Sequence, residues 1–527
     1  MWDDEVDVLV VGFGGAGVCA AIEAAECGVK VMAVDAHRGG GATAISGGVV
    51  YGGGGSPWQT AAQVEDSAEA MFDYLQMEVG EVVSTETLRV FCDQSRDMLL
   101  WLNRNGVPFE GSLCPVKTSY PSNDYYLYHS GNESVAPYRD KAAPAPRGHR
   151  AKGRGLPGAN FYEPLRASAL AAGVEPLYQT EARRLVVDGD GRVMGAELWS
   201  LEAGSNWALA HHLLARTAIA IKNYNPQIGK QCHQAMAWIE RHHAKPRRVK
   251  AQRGVILSAG GFIYNRAMVE HYAPQYRPGM PLGTVGCNGS GIQLGQSVDG
   301  ATAYMDRASA WRFINPPEAW TYGVLVDKQG QRYVNERLYG ATVGRKMVEE
   351  HRGEALLIID ASLWRTSLAQ VAPGQKIQWF QQAPALLNLY ANCREGDTVE
   401  ELAARCRIPA ETLRQTVDAY NALAHDGQED PLGKDPEYIR PLQEAPFYAI
   451  DCSLGSRRFP CPTLTLGGLV VDETTGHVKR EDGSRIEGLF AAGRTAVGLS
   501  SNAYVSGLSL ADCVYSGRRA GRHAAQA

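Results

Sequence analysis

Residues 6–35 read VDVLVVGFGGAGVCAAIEAAECGVKVMAVD, and this stretch decides the fold. Residues 6–11 are an apolar run of strand length. Gly12, Gly14 and Gly17 follow as G-x-G-x-x-G. Residues 20–27 favour helix, Gly28 is a helix stop, and 29–34 is a second apolar strand ending at Asp35. The glycines serve mechanical purposes, namely a tight turn, close approach of backbone to a pyrophosphate, and close packing of helix on strand. The helix start, at Gly15 and Ala16, turns unpaired N–H groups toward the phosphates. Asp35, with Ala36 behind it, is placed to accept hydrogen bonds from a ribose. A lone G-x-G-x-x-G is a weak signal. Here the strand, the helix and the acid agree, and a dinucleotide site is expected.

A second glycine-rich loop, RGGGATAISGG at 38–48, follows the second strand directly. A nicotinamide domain has no need of it. A flavin domain does, because such a loop runs past the pyrophosphate toward the flavin ring. Gly41, Ala42, Thr43, Ser46, Gly47 and Gly48 are the expected contacts. Two later segments, VILSAGGF at 255–262 and GLFAAG at 488–493, are apolar strands running into small residues where backbone passes close to a cofactor. They bring Ala259, Gly260 and Gly493. Ala182, Ser509 and Leu510 complete the expected set. The 38–48 loop holds no histidine to form a covalent bond, so the cofactor expected is FAD, held non-covalently.

A chain of 527 residues suggests two or three domains. Its 45% hydrophobic and 21% charged residues are ordinary for a soluble enzyme, and a net charge of −5 gives no reason to expect nucleic acid. Eleven cysteines without C-x-x-C or metal-like spacing fit free thiols in a reducing cytoplasm, and no metal site is expected. The acidic start MWDDEVD leads straight into a strand, so no signal peptide is expected, and no apolar run reaches membrane-spanning length.

The cofactor fold is interrupted. The expected class is α/β: a Rossmann-like domain over 1–304 and 451–527, with an α+β cap inserted at 305–450 and a pocket between them. One segment stands outside this plan. Within 201–253, residues 207–222 and 231–242 read as amphipathic helices broken at Asn225 and Pro226. From Trp207 to Lys250 there are eight Lys/Arg against one Glu. A hairpin packed on its own domain, a subunit contact and an anionic-membrane contact are all open. Replacing the segment is expected to spare both FAD binding and turnover.

Together these segments resemble the FAD-dependent fumarate reductase and 3-ketosteroid dehydrogenase superfamily, over nearly the whole chain outside 201–253. Two places discriminate within it. At 330–345, GQRYVNERLYGATVGR, fumarate reductases have a similar G-x-R-F-V-N-E segment and then a proton-donating arginine. Aligned on Asn335 and Glu336, that arginine falls on Gly340, with Tyr339 beside it. At 501–512, SNAYVSGLSLAD, an arginine that grips a substrate carboxylate is replaced by Tyr504. The histidine that should precede the returning Gly-Gly is absent from PTLTLGG, 462–468, where Leu464 stands. A dicarboxylate needs fixed positive charge, and these positions offer phenols and apolar groups. Fumarate reduction is therefore rejected. Tyrosine at both places resembles the 3-ketosteroid dehydrogenases. YVSGLS, with PAPRGHR at 144–150, resembles the Δ4 branch more than the Δ1 branch, which has a proline- and glycine-rich segment after its C-terminal tyrosine.

The resemblance implies removal of two hydrogens from adjacent carbons beside a ketone. Donors must polarise the carbonyl, a base must take the α-proton, and flavin N5 must accept the β-hydrogen as hydride. A phenol with a pKa of about 10 needs help from neighbours to act as base. Tyr339 is assigned as base and Tyr504 as keto binder or relay partner, with the two roles open to exchange. Ser506 extends the relay, and the N–H of Gly507 or Leu508 donates to the carbonyl oxygen. One of Tyr120, Tyr125, Tyr126 and Tyr128 is expected to cover a flat apolar ligand. No second nicotinamide site is evident, so a quinone or a dye is the expected acceptor. Δ1-dehydrogenation, reduction of another enone, and an electron carrier without its own substrate remain as alternatives.

Overall fold

The computed structural model describes residues 2–221, 226–426 and 428–527. Its opening follows the pattern of the sequence: strand Asp4–Val11, helix Gly15–Glu26, strand Val31–Asp35. Val8, Leu9 and Val10 are fully buried, as a parallel strand covered on both faces requires. Val31–Asp35 lies parallel on one side, with Val8 opposite Val31. Lys245–Leu257 lies parallel on the other, with Val11 opposite Leu257. The sheet continues to Arg485–Ala491 beyond one and Glu175–Tyr178 beyond the other. Both ends of the chain and its middle thus meet in one sheet. The crevice at the carboxyl ends of such strands is where ligands bind.

The middle of the chain builds a separate antiparallel sheet, ordered Val324–Val326, Leu356–Ile359, Phe447–Asp451, Cys393–Gly396. Helices Ala361–Gln370, Trp379–Ala391 and Val399–Cys406 cover it, with Ala410–Asp426 packed on the last of these, and Trp320, Leu357, Ile358, Leu402 and Ile450 fill its core. The fold is a Rossmann-like α/β domain with an interrupting α+β cap. A small sheet of Val49–Tyr51, Gly148–Arg150 and Leu127–Tyr128 lies on the first part of the chain.

The two helices read in the insertion are present, as Asn206–Ile221 and Pro226–His243. The break expected at Asn225 falls outside the described residues, and Pro226 opens the second helix. The hairpin packs on its own domain through Leu201, Ala208 and Ile239. The four cations that follow the hairpin on strand Lys245–Leu257 are paired: Arg247 with Asp4, Arg248 with Glu197, Lys250 with Glu5 and Lys245 with Glu202. The charge count of the segment could not see these partners. Among the described residues, no helix is long and apolar enough to cross a membrane.

Candidate active site

Tyr339 is the residue before helix Gly340–His351. Its backbone N–H donates to Asn132 Oδ1 at 2.6 Å. Asn132 is itself fixed by donating to Glu78 Oε1 at 2.8 Å and Thr342 Oγ1 at 2.9 Å. The segment leading to Tyr339 is anchored by buried charge. Arg332 donates to both oxygens of Glu336 and to Asp430, and Lys434 Nζ donates to Glu336 at 3.0 Å. The Arg-x-x-Asn-Glu pattern at 332–336 is therefore the scaffold that places the tyrosine.

Burial alone would raise the Glu336 pKa, but Arg332 and Lys434 outweigh it and hold the carboxyl down to about 2, against 4.5 ordinarily. A depressed carboxyl stabilises the fold above pH 4.5 and loses that contribution as pH falls toward 2. Glu336→Gln should therefore cost about 3–5 kcal/mol at neutral pH, because it strands buried Lys434 and leaves Arg332 with Asp430 alone. Urea melts at neutral pH and at acid pH test this. A deficit that does not shrink below pH 4.5 refutes the assignment.

Tyr339 is 4% exposed, and its ring lies 6.5 Å from that of Tyr504, nearly parallel at 18°. Phe313 meets Tyr339 edge-on at 5.2 Å, and Trp311 meets Tyr504 at 4.6 Å. Burial, then the neighbouring phenols Tyr504 and Tyr128, push the Tyr339 hydroxyl well above its usual pKa, while a hydrogen bond from Ser506 opposes the rise. Ser506 sits 3.2 Å from the Tyr128 hydroxyl. Tyr504 is likewise raised by burial and lowered by Arg494.

The loop Tyr504 to Gly507 ends in a left-handed residue, Gly507 at φ +91°, ahead of the final helix Leu508–Gln526. A side chain there would meet Tyr51 N at 2.6 Å. The Leu508 N–H donates to Val505 O at 3.0 Å, so it is withdrawn from the role the sequence left open to it. The Gly507 N–H has no acceptor among the described residues. Ser509 and Leu510 stand in the first helical turn, half-buried.

Of the four tyrosines in the 120–128 segment, Tyr128 reaches Ser506. Tyr120 donates to Gly47 O at 2.8 Å, in the second glycine-rich loop, and receives Arg150 Nε at 2.8 Å. Tyr126 donates to Gly153 O, and Tyr125 packs behind Tyr128. In PAPRGHR, Arg147 pairs with buried Asp66, so that motif supports the site from behind. Behind Tyr339 lies a cavity of about 20 Å³ lined by Lys117, Asn315, Arg337 and Gly340. It has room for a water molecule and no more. Burial, then Arg337, lowers Lys117 to about 8, against the pull of Glu133.

The cofactor crevice fits FAD. A side chain on Gly12 (φ +100°) would meet Ser258 O at 2.6 Å, and one on Gly17 would lie 1.9 Å from Gly12 O, so turn and helix pack as the motif demands. Gly14 and Gly41, in contrast, face open space: an added carbon would have no neighbour nearer than 3.8 Å. Backbone there is free to meet a pyrophosphate. Helix Gly15–Glu26 has no side-chain cap and no acid in its first turn, which leaves its N–H groups for an anion. Asp35 is more committed than its sequence suggested. Its Oδ2 accepts from the Phe13 N–H and its Oδ1 from the His37 N–H, which leaves the remaining lone pairs for a ribose. Thr43, Ser46 and Gly48 form one loop, with Ser46 Oγ donating to Thr43 O and accepting from Gly48 N. Gly493 starts a short turn at φ +59°. Ala182 and Ala259 lie on the adjoining strand and loop.

Sequence reading missed Asn132, Trp311, Phe313 and Arg494 as site residues. Arg494 directly follows GLFAAG, and its Nη2 lies 3.5 Å from Cys287 Sγ; its place beside a cofactor segment was the available signal.

The FAD binding domain family model matches residues 7–510. The chain belongs to that family. It is a flavoprotein, an FAD-dependent oxidoreductase acting on CH–CH groups. The flavoprotein is 39% identical over 501 residues, 93% of each chain, to a 3-oxo-5-alpha-steroid 4-dehydrogenase of Comamonas testosteroni. It is 26% identical over 562 residues, 95% of this chain and 94% of the relative, to a 3-oxosteroid 1-dehydrogenase of Mycobacterium tuberculosis. The crystal structure of 3-ketosteroid-delta4-(5alpha)-dehydrogenase from Rhodococcus jostii RHA1 in complex with 4-androstene-3,17-dione superposes with a TM-score of 0.82 at 32% identity, covering 100% of this chain and 98% of that one.

Proposed function

We propose that this flavoprotein is a 3-oxosteroid 4-dehydrogenase, removing hydrogen from C4 and C5 of a 3-ketosteroid. The observation that carries the reading is the stacked Tyr339 and Tyr504 pair, with the left-handed Gly507 three residues after Tyr504. The Comamonas and Rhodococcus relatives support it, and the 1-dehydrogenase is more distant.

Bound FAD supplies the acceptor, at N5, for the hydrogen that leaves C5. Tyr504 and the Gly507 N–H hold the C3 carbonyl oxygen, which draws charge from C4 and acidifies its proton. Tyr339 takes that proton. Burial keeps its phenol protonated at rest, so it must pass its own hydroxyl proton to Ser506 as it accepts the new one. Tyr128 extends that chain. The same chain delivers a proton when the reaction runs backwards. Trp311 and Phe313 offer flat apolar faces to a flat ligand. A quinone or a dye takes the electrons onward. The crevice residues from Gly12 to Asp35, the 41–48 loop, Ala259, Gly260 and Gly493 hold FAD without a covalent bond. The cap is bounded at 305–450. The outer face of the hairpin, where Trp207, Leu209, Leu213 and Trp238 are exposed, is proposed as a contact for a second subunit.

Anaerobic mixing tests the reaction. Saturated 5α-3-ketosteroids should bleach the flavin, and 3-ketosteroids already unsaturated at C4–C5 should not. Bleaching by the second group alone would transfer the chemistry to C1–C2. Purified protein should be yellow and release intact FAD on acid or heat. A flavin that stays attached after denaturation contradicts the non-covalent reading.

A further inference from the structure

The hairpin Asn206–Ile221 and Pro226–His243 is the large segment that the proposed reaction leaves unused. Its inner face meets the loop behind Asp35. The His211 ring is buried and stacks on His37 at 5.8 Å and 28°. The Gln179 side-chain amide nitrogen lies 3.1 Å from His211 Nδ1. An amide nitrogen only donates, so Nδ1 accepts, and the proton sits on Nε2. Nε2–H then donates to Glu240 Oε1 at 2.7 Å. The second amide hydrogen of Gln179 goes to Ala208 O at 2.7 Å. Both helices of the hairpin thus hold one glutamine.

Gln179 carries the connection inward. Its backbone N–H donates to His37 O at 2.8 Å. Its φ of +52° is left-handed and rare outside glycine, so this conformation is kept by its contacts rather than by preference. His37 in turn gives its N–H to Asp35 Oδ1 at 2.8 Å. The His37 ring lies between His211 and Gly286, where an added carbon would stand 4.0 Å from His37 Cδ2. Its Nδ1 is buried without a hydrogen-bond partner. A buried polar atom with no partner, two residues beyond the acid assigned to the ribose, calls for an external one.

We infer that the hairpin is a clamp on the adenosine half of FAD, with His37 the contacting residue and Gln179 and His211 the positioning residues. The inference rests on Asp35 standing at the ribose and is independent of the steroid assignment. The flavin end, with Tyr339 and Tyr504, is not touched by the clamp. The inference runs against the expectation that the hairpin is dispensable for FAD binding, and the shortened chain below decides between them.

The test uses His211→Ala, Gln179→Ala, and a chain in which 206–243 is replaced by a short turn. Diluting each holoenzyme and following free-flavin fluorescence gives the FAD dissociation constant. Displacement by ADP, which has the adenosine and pyrophosphate but no flavin, reads the clamped half alone. Loss of a buried hydrogen-bonded contact should weaken FAD by about 10- to 100-fold, and ADP by a similar factor. Glu240→Gln keeps an acceptor for Nε2–H and should retain near-parental affinity. Unaltered FAD affinity in folded His211→Ala and Gln179→Ala overturns the inference. So does weakened FAD with unaltered ADP. If the shortened chain fails to fold, the point variants decide alone. Failure of the steroid assignment would show in turnover and leave both affinities as expected.

Discussion

Tyr339→Phe and Tyr504→Phe should each keep FAD and lose turnover by roughly 10²–10⁴, the range for removing a group that moves or polarises a proton. The two losses should differ in kind. Tyr339 is the proposed proton acceptor, with Ser506 and Tyr128 as the proposed relay, so its loss should fall on kcat. Tyr504 is the proposed keto binder, so its loss should also raise KM for the ketone. Phenylalanine preserves ring stacking with Phe313 and Trp311, so folding is not at issue. Ser506→Ala should cost less than Tyr339→Phe if water replaces the hydroxyl in the relay, and as much if it does not. Flavin absorbance verifies loading, and stopped-flow reduction by a saturated 3-ketosteroid reads the chemical step. Near-parental rates in both phenylalanine variants would place the active site elsewhere.

The parts of this molecule that were legible in the chain are those whose cause is local. The strand, glycine turn, helix and Asp35 follow one another within residues 6–35, and the structure repeats that order. Tyr339 and Tyr504 were legible through short motifs at matching positions. What holds them was not. The Tyr339 backbone is fixed by Asn132, 207 residues away, and nothing in the sequence of either segment announces the other. The buried charges around Glu336 draw on Asp430 and Lys434 from the far end of the cap. The hairpin shows the same limit from the other side. Its amphipathic helices were readable, but the cations of the strand that follows it found their acids at Asp4, Glu5 and Glu197. Asp35 was legible as an acid at the end of the second strand, yet its two backbone donors, Phe13 and His37, depend on a loop path that periodicity does not encode.

Fumarate should leave the reduced flavin all but untouched, with a kcat/KM on the order of 10⁴ below that of a steroid enone, the scale at which unmet buried polar demands are rejected. The structure gives this a steric reason beyond the missing charges. A side-chain carbon on Gly340 would lie 2.2 Å from Phe313 Cδ1 and 2.9 Å from Arg312 O. The position where a proton-donating arginine would stand is filled by an aromatic ring. Leu464 is buried in a strand, opposite Ser309, and Tyr504 occupies the second arginine position under Trp311. Of the cations nearby, Arg337 pairs with Glu318, Arg494 Nη2 lies 3.5 Å from Cys287 Sγ, and Lys117 lines a cavity of only about 20 Å³. A dicarboxylate entering this site would lose its hydration and meet phenols and hydrocarbon. Gly340→Arg should therefore not confer fumarate reduction. It should displace Phe313 and abolish steroid turnover, because Phe313 also packs on Tyr339. A fumarate titration of the photoreduced enzyme decides the matter. Rapid reoxidation below about 1 mM, the upper end of common KM values, would mean that a cation reaches the substrate from somewhere this geometry does not provide.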